Sequence, residues 1–260
     1  MQDPVITGDA LQVLPTLPQE SVALTVFSPP YDQIRDYHAK WDPQTLLDLA
    51  APLLRVTVTG GLCCMVIQDG TRDFAKSLST FRTAVHWCDV VGWRLFEACI
   101  YAKAGRPGAW WNQRFRVDHE YILMFLKGPR HRHFDKEGLK VPATYAGVTF
   151  GGSTRLTSGA LRPLASSKVP ALKCRGTIWP YPTANHERRP GKALHPATMP
   201  MGLASDLIRC FSAPCDLVLD PMCGSGTTLV AARDLGRQWL GIEISEEYAA
   251  LARGALGDLP

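Results

Sequence analysis

Residues 217–243 constrain the fold more tightly than any other stretch of this 260-residue chain. Leu217-Val-Leu-Asp220 is an apolar run ending in an acid. Pro-Met-Cys-Gly224-Ser-Gly226-Thr-Thr228 follows, and then the helical run Leu229-Val-Ala-Ala-Arg-Asp-Leu235. That order reads as a buried strand, a tight turn and a helix. Glycines let the backbone turn sharply and let a ligand approach the main chain. The free N–H groups at a helix start favour an anionic group. A second apolar run, Trp239-Leu-Gly-Ile-Glu243, again closes in an acid, nineteen residues past Gly224. An acid at about that distance is what a Rossmann-type unit uses to hold ribose hydroxyls. Gly-x-Gly alone fits a plain structural turn, but the full series of strand, turn, helix, strand and acid points to a nucleotide-type cofactor. Such a turn usually opens its domain. Here it lies near the end, so the other half of the sheet must come from upstream.

Upstream stretches supply that half. Val5-Ile-Thr7 runs into Gly8-Asp9, and Val22-Ala-Leu-Thr-Val-Phe27 runs into Ser28-Pro-Pro-Tyr31. Both read as strands ending at a polar residue, with Leu11, Leu14 and Leu17 on one side of an amphipathic turn between them. Open α/β sheets bind ligands at the carboxyl ends of their strands, so Asp9, Ser28, Asp220 and Glu243 are expected along one edge. Asp42 can cap a helix that has Pro43 first and Leu46, Leu47, Ala50, Leu53 and Leu54 as its apolar face. Leu62-Cys-Cys-Met-Val-Ile67 is continuously apolar, as a parallel strand covered on both faces requires. The spacing of Phe74, Leu78, Phe81 and Val85 predicts a helix over 71–90. Strands are expected over 93–101 and 120–126, with Trp110-Trp111 in the loop between, and a helix over 201–211. Alternation of this kind means an α/β fold.

From Gly128 to Pro190 the periodicity fades and Gly, Pro, Ser and Arg dominate, which makes the segment a functional insertion or a poorly ordered stretch. It is also where the charge gathers. Residues 127–192 hold 13 Lys and Arg against three acids, whereas the remainder holds 15 against 21. A basic block on an acidic body suggests a polyanionic partner, against the plainer reading of a solvated insertion. The apolar fraction of 46% suffices for a core, and no run approaches the 18 apolar residues of a membrane span. Met1-Gln-Asp-Pro lacks the features of a signal peptide. The eight cysteines form no CxxC pair and mostly sit in apolar runs, which fits reduced thiols in a cytoplasmic protein without a metal site.

With its glycine turn late and Ser28-Pro-Pro-Tyr31 early, the chain resembles the β-class amino-group DNA methyltransferases. The resemblance covers nearly the whole length. It includes Gly8-Asp9-Ala-Leu, Arg35-Asp-Tyr37, His119-Glu-Tyr-Ile-Leu-Met-Phe125, Thr177-Ile-Trp179, His195-Pro-Ala, the glycine turn and Gly241-Ile-Glu-Ile-Ser245. It implies a permuted Rossmann-like fold that uses S-adenosylmethionine. The sheet would be mostly parallel with helices on both faces, and a loop-rich basic insertion would be added. Residues 1–127 would be the catalytic half, 128–190 the target recognition region and 191–260 the cofactor-binding half. By the same resemblance, Asp220 and the turn Met222, Cys223, Gly224, Ser225, Gly226 and Thr227 would hold the methionine part of the cofactor. Glu243 would take the ribose, Ile244 would pack on the adenine, and Asp9 and Ala10 would touch its edge. His195 and Thr198 would border the carboxylate end. Met222 stands where the family usually has Phe. Arg35, Arg155, Lys173, Arg175, Arg188 and Arg189 are the expected contacts to double-stranded DNA. A homodimer and a cognate restriction endonuclease are further partners that the resemblance admits.

The Ser28, Pro29, Pro30 and Tyr31 box suits the chemistry. A base amine is a poor nucleophile because its lone pair is delocalised into the ring. Acceptors around its N–H bonds favour localisation, and Ser28 Oγ and the Pro29 carbonyl can serve, with the prolines fixing φ. Tyr31 offers a face for a base flipped from its helix. Members with Ser at the first position mostly methylate cytosine N4, those with Asp adenine N6. The expectation is therefore a site-specific cytosine-N4 DNA methyltransferase, with adenine N6 methylation as the alternative and a non-catalytic DNA-binding protein of the same fold as a third reading.

Overall fold

The computed structural model describes residues 4–30, 42–104, 113–183 and 199–257. In chain order its elements are β1 (Val5–Thr7), α1 (Ala10–Val13), β2 (Val22–Phe27), α2 (Gln44–Asp48), α3 (Ala50–Val56), β3 (Thr57–Ile67), β4 (Thr71–Arg72), β5 (Ala75–Lys76), α4 (Ser79–His86), β6 (Arg94–Ala104) and β7 (His119–Leu126). Then come β8 (Val141–Pro142), β9 (Thr149–Arg155), β10 (Leu161–Lys168), β11 (Leu172–Lys173), β12 (Ile178–Pro182), α5 (Met201–Phe211), β13 (Leu217–Asp220), α6 (Thr227–Asp234), β14 (Gln238–Glu243) and α7 (Glu246–Leu256). Two compact units result: Met1–Asp135 with Thr177–Pro260, and Lys136–Gly176.

The larger unit is built on one eight-stranded sheet in the order β1-β14-β13-β2-β3-β7-β6-β12. Neighbours pair parallel except that β7 runs antiparallel to both β3 and β6. Seven strands therefore end on the same edge. All six residues of β2 are buried, as a central parallel strand covered on both faces demands. The period of two divides the layers. Phe27, Cys63, Met65 and Ile67 share one cluster with Leu46, Leu49, Leu53 and Val56 of α2 and α3, while α5 packs against β2 and β3. Trp87 and Trp93 close the first layer, stacked at 5.7 Å. Each buried indole N–H has an acceptor, Leu46 O at 2.8 Å and Ala50 O at 2.9 Å, which removes the penalty of hiding a donor.

One expectation needs correcting. Residues 71–90 are not one helix. β4 and β5 form a short hairpin, α4 begins only at Ser79, and a π-helical turn follows over Trp87–Val91. Asp73, Phe74 and Leu78 have left-handed φ of 49°, 60° and 61°, which no helix tolerates. The inward face is Thr80, Thr83 and Trp87, whereas Phe74, Leu78, Phe81 and Val85 are exposed. The compact unit inside the basic stretch is Lys136–Gly176. Asp135 N–H donates to Cys210 O at 2.8 Å and Phe134 stacks on Phe211 at 5.6 Å, so 128–135 belongs with the larger unit. β12 joins the sheet through parallel pairing with β6. Pro180 and Pro182 hid this strand from pattern reading, and both are tolerated because β12 is an edge.

The smaller unit contains the antiparallel pair β8 and β11 and the longer ribbon of β9 with β10. A register shift between Leu164 and Ser167 bulges the ribbon.

Candidate active site

Four adjacent parallel strands deliver the expected polar residues to one edge. In spatial order the carboxyl ends of β1, β14, β13 and β2 lead into Asp9, Glu243, Asp220 and Ser28. At about 4.8 Å per strand this row is roughly 14 Å long, the scale of a nucleoside derivative. Gly8 N–H donates to Glu243 O at 2.8 Å and continues the β1–β14 pairing past the strand ends. Asp9 caps α1 by accepting from Leu11 N–H at 2.9 Å, and Ala10 behind it is buried.

The turn after β13 is shaped by the two acids beside it. Asp220 Oδ1 accepts from Met222 N–H at 3.0 Å, and the Thr228 hydroxyl also donates to this carboxylate. Burial outweighs those donors and pushes the Asp220 pKa up to about 7, with the charge of Glu243 adding to the rise. Glu243 bridges two loops. Its Oε2 accepts from Gly224 N–H at 2.8 Å and its Oε1 from Ser245 N–H at 3.0 Å. Its pKa too is raised by burial, opposed by the backbone donors of Ser245, Gly224 and Ile244. Cys223 is buried, which pushes its thiol up, and its N–H donates to Ile242 O at 2.9 Å. Met222 packs half-buried against the α3-side cluster. Ser225 and Thr227 are half-buried.

Close packing explains two glycines. Gly226 has φ 82°, and a Cβ there would lie 3.1 Å from Ala252 Cα. A Cβ on Gly241 would lie 2.6 Å from Leu229 Cδ1 and 2.9 Å from Cys223 Sγ, so a larger residue there would make both buried side chains shift. By contrast Ile244, the first residue beyond β14, is 60% exposed beside the buried Glu243. A large aliphatic group left open next to a carboxylate suits the face and the hydroxyls of a nucleoside.

Ser28 is half-buried and Pro29 buried at the end of β2, next to β13. Tyr31, Arg35, Arg188, Arg189, His195 and Thr198 lie outside the described residues. Arg155, Lys173 and Arg175 fall in the smaller unit. Among the described residues no three His, Cys, Asp or Glu converge as metal ligands, and no helix is long and apolar enough to cross a membrane.

Beyond Ser28 the edge continues through a polar cluster that sequence reasoning did not assemble. Lys103 pairs with Glu120 at 2.9 Å, both largely buried, and donates to Gln68 Oε1 at 3.2 Å. Lys76 donates to Asp69 O at 3.2 Å. The only hint was that Gln68-Asp69 follows an apolar strand as the other edge acids do. Its partners come from β6 and β7, and their pairing is a matter of register.

A sheet with this order, one reversed strand and a glycine turn between two edge carboxylates is the fold of S-adenosylmethionine-dependent methyltransferases. A family model described as DNA methylase, for N6 and N4 enzymes, matches residues 22–254. The chain belongs to that family: it is a DNA methyltransferase, and its cofactor is S-adenosyl-L-methionine. It is 30% identical over 246 residues to the orphan methyltransferase M.BamHII of Bacillus amyloliquefaciens, covering 91% of this chain and 89% of that protein. It is 27% identical over 261 residues to the DNA adenine methyltransferase YhdJ of Escherichia coli, covering 94% and 79%. The solved PvuII DNA methyltransferase, described as cytosine-N4-specific, superposes with a TM-score of 0.73 at 21% identity, over 98% of this chain and 87% of that one. A Thermus thermophilus protein described as a DNA modification methylase, solved with S-adenosyl-L-methionine, superposes at 0.63 with 26% identity, over 98% and 96%.

Proposed function

We propose that the chain methylates the N4 amine of a cytosine flipped out of duplex DNA. The observation that carries the choice of base is Ser28 at the carboxyl end of β2, where adenine-directed relatives usually have Asp. The bound cofactor supplies an electrophilic methyl group. Glu243 holds the ribose hydroxyls through the lone pairs its backbone bonds leave, and Ile244 covers one adenine face. Asp9 and Ala10 border the adenine edge. Asp220 and the turn from Met222 to Thr227 hold the methionine part, with His195 and Thr198 at its carboxylate. Two buried carboxylates at adjacent strand ends beside the glycine turn support this assignment.

Opposite that row, Ser28 Oγ and the Pro29 carbonyl accept from the two amine N–H bonds and favour the pyramidal nitrogen that attacks. Pro29 and Pro30 fix the backbone that aims them. Tyr31 stacks on the extruded base. Duplex DNA is bound through the region 128–190, centred on the basic Lys136–Gly176 unit, with Arg155, Lys173 and Arg175 joined by Arg35, Arg188 and Arg189 outside the described residues. Adenine N6 methylation is the second reading, favoured by the likeness to an adenine methyltransferase.

Single-turnover methylation of duplex DNA, followed by digestion and nucleoside mass spectrometry, decides between them. The expected product is N4-methylcytosine. Ser28→Ala should slow the chemical step by about 10²–10³ while cofactor affinity stays near wild type. N6-methyladenine as the sole product would overturn the base, and undiminished turnover in Ser28→Ala would overturn the mechanism.

A further inference from the structure

The ribbon of β9 and β10 has both faces open to solvent. Every residue from Leu161 to Lys168 is exposed, and so is every residue of Thr149–Arg155 except the half-buried Thr154. A two-stranded ribbon buries too little surface to be stable alone, yet this one leaves Phe150, Leu161 and Leu164 at 49%, 61% and 49% exposure. Its charge names the class of surface that covers it. The unit Lys136–Gly176 carries seven Lys and Arg against one acid, Glu137, which is already tied to Lys140. Such a surface complements a polyanion.

Shape narrows the choice. The major groove of B-DNA, about 12 Å wide and about 8.5 Å deep, admits a two-stranded ribbon, while the minor groove at about 6 Å is narrower than the ribbon. At about 3.4 Å per residue, Thr149–Arg155 extends for roughly 20 Å, enough to reach the groove floor. The end that would arrive first carries two arginines. Arg155 pairs with Leu161 and Arg162 with Thr154, so both stand beside the tip and on opposite faces. The tip itself is a tight loop, closed by Leu156 N–H to Ala160 O at 2.8 Å and Gly159 N–H to Leu156 O at 2.9 Å. Arg155 Nη1 donates to Gly159 O at 3.2 Å, which steadies the side chain along the tip while its other donors remain for a ligand.

We propose that this ribbon enters the major groove of the target duplex tip first and that Arg155 and Arg162, one on each face beside the tip, read guanine there. A guanidinium spanning guanine O6 and N7 is the commonest base-specific contact of arginine. The inference rests on the proposed action on duplex DNA and adds the element, the groove and the base it reads.

The test uses one plasmid-length fragment amplified twice, with dGTP or with 7-deaza-dGTP. The substitution removes the N7 acceptor from the major groove and leaves base pairing intact. Methyl transfer from labelled S-adenosylmethionine and retention of each DNA on a filter are both measured. Wild type should lose at least about tenfold on the 7-deaza DNA. The double variant Arg155→Gln, Arg162→Gln should be weaker on ordinary DNA and should treat the two DNAs alike, with unchanged cofactor affinity showing an intact fold. A wild-type protein indifferent to the substitution would overturn the proposal, as would a double variant that keeps the wild-type ratio. Methylation of ordinary DNA scores the underlying reading. The filter ratio scores the ribbon even where that chemistry fails.

Discussion

Asp220 sits fully buried with only the Met222 N–H and the Thr228 hydroxyl to support its charge, and its pKa of about 7 records the deficit. A carboxylate whose pKa rises on folding favours the protonated form. The contribution of Asp220 to stability is therefore full below the ordinary value of 3.8 and is lost as pH climbs toward about 7. If Asp220 takes up the ammonium of the cofactor, binding must expel that proton. Affinity for S-adenosylmethionine should rise with pH and level off above about 7, with about one proton released per cofactor near pH 6 and almost none near pH 8. Calorimetry in two buffers of different ionisation enthalpy reads this directly, and Asp220→Asn should abolish the release. A pH-independent affinity would remove Asp220 from the cofactor site. The position of Asp220 at a strand end was legible from the apolar run before it. Its raised pKa was not, because burial depends on α6 and β14 closing over it. Glu243 was legible in the same partial way. The spacing from Gly224 marked it as an edge acid, but its bonds to Gly224 and Ser245 depend on loop geometry.

At the scale of elements, the strands and the helix Met201–Phe211 were legible because apolar runs and amphipathic spacing survive without tertiary context. The exceptions were set by side chains from elsewhere. Asp69, beyond the end of β3, accepts from Thr80 N–H at 2.8 Å and holds the start of α4 where the sequence alone would extend the helix back to residue 71. Loss of such a cap costs about 1 kcal/mol. Asp69→Ala should therefore lower Tm by roughly 2–4 °C for a chain of this size, and Asp69→Asn should recover most of that. Equal melting of Asp69→Ala and wild type would show that α4 is held by packing alone. β12 was missed for a different reason. Its prolines look like loop residues until the strand is known to lie at an edge.

For the whole molecule, the uneven charge was visible in the sequence, while the boundary of the basic unit at Lys136 and Gly176 was set by contacts such as Phe134 on Phe211. If Lys173 meets a phosphate, DNA affinity should fall with salt at a slope near −0.9 per contact. Lys173→Gln should then flatten that slope by about one unit on any sequence and leave cofactor affinity alone. An unchanged slope would return Lys173 to the status of a solubilising charge.

The sheet order carries a consequence in time as well as space. Val5, Ile6 and Thr7 find their partners in Gly241, Ile242 and Glu243, more than 200 residues further along the chain. During synthesis β1 gains its β14 partner only after Gln238–Glu243 is made, and β2, which can pair with β3 early, gains its β13 neighbour only after Leu217–Asp220. Closing so long a loop is slow. On the proposed assignment, Ser28 and Pro29 are made long before Asp220 and Glu243 complete the cofactor side of the same edge.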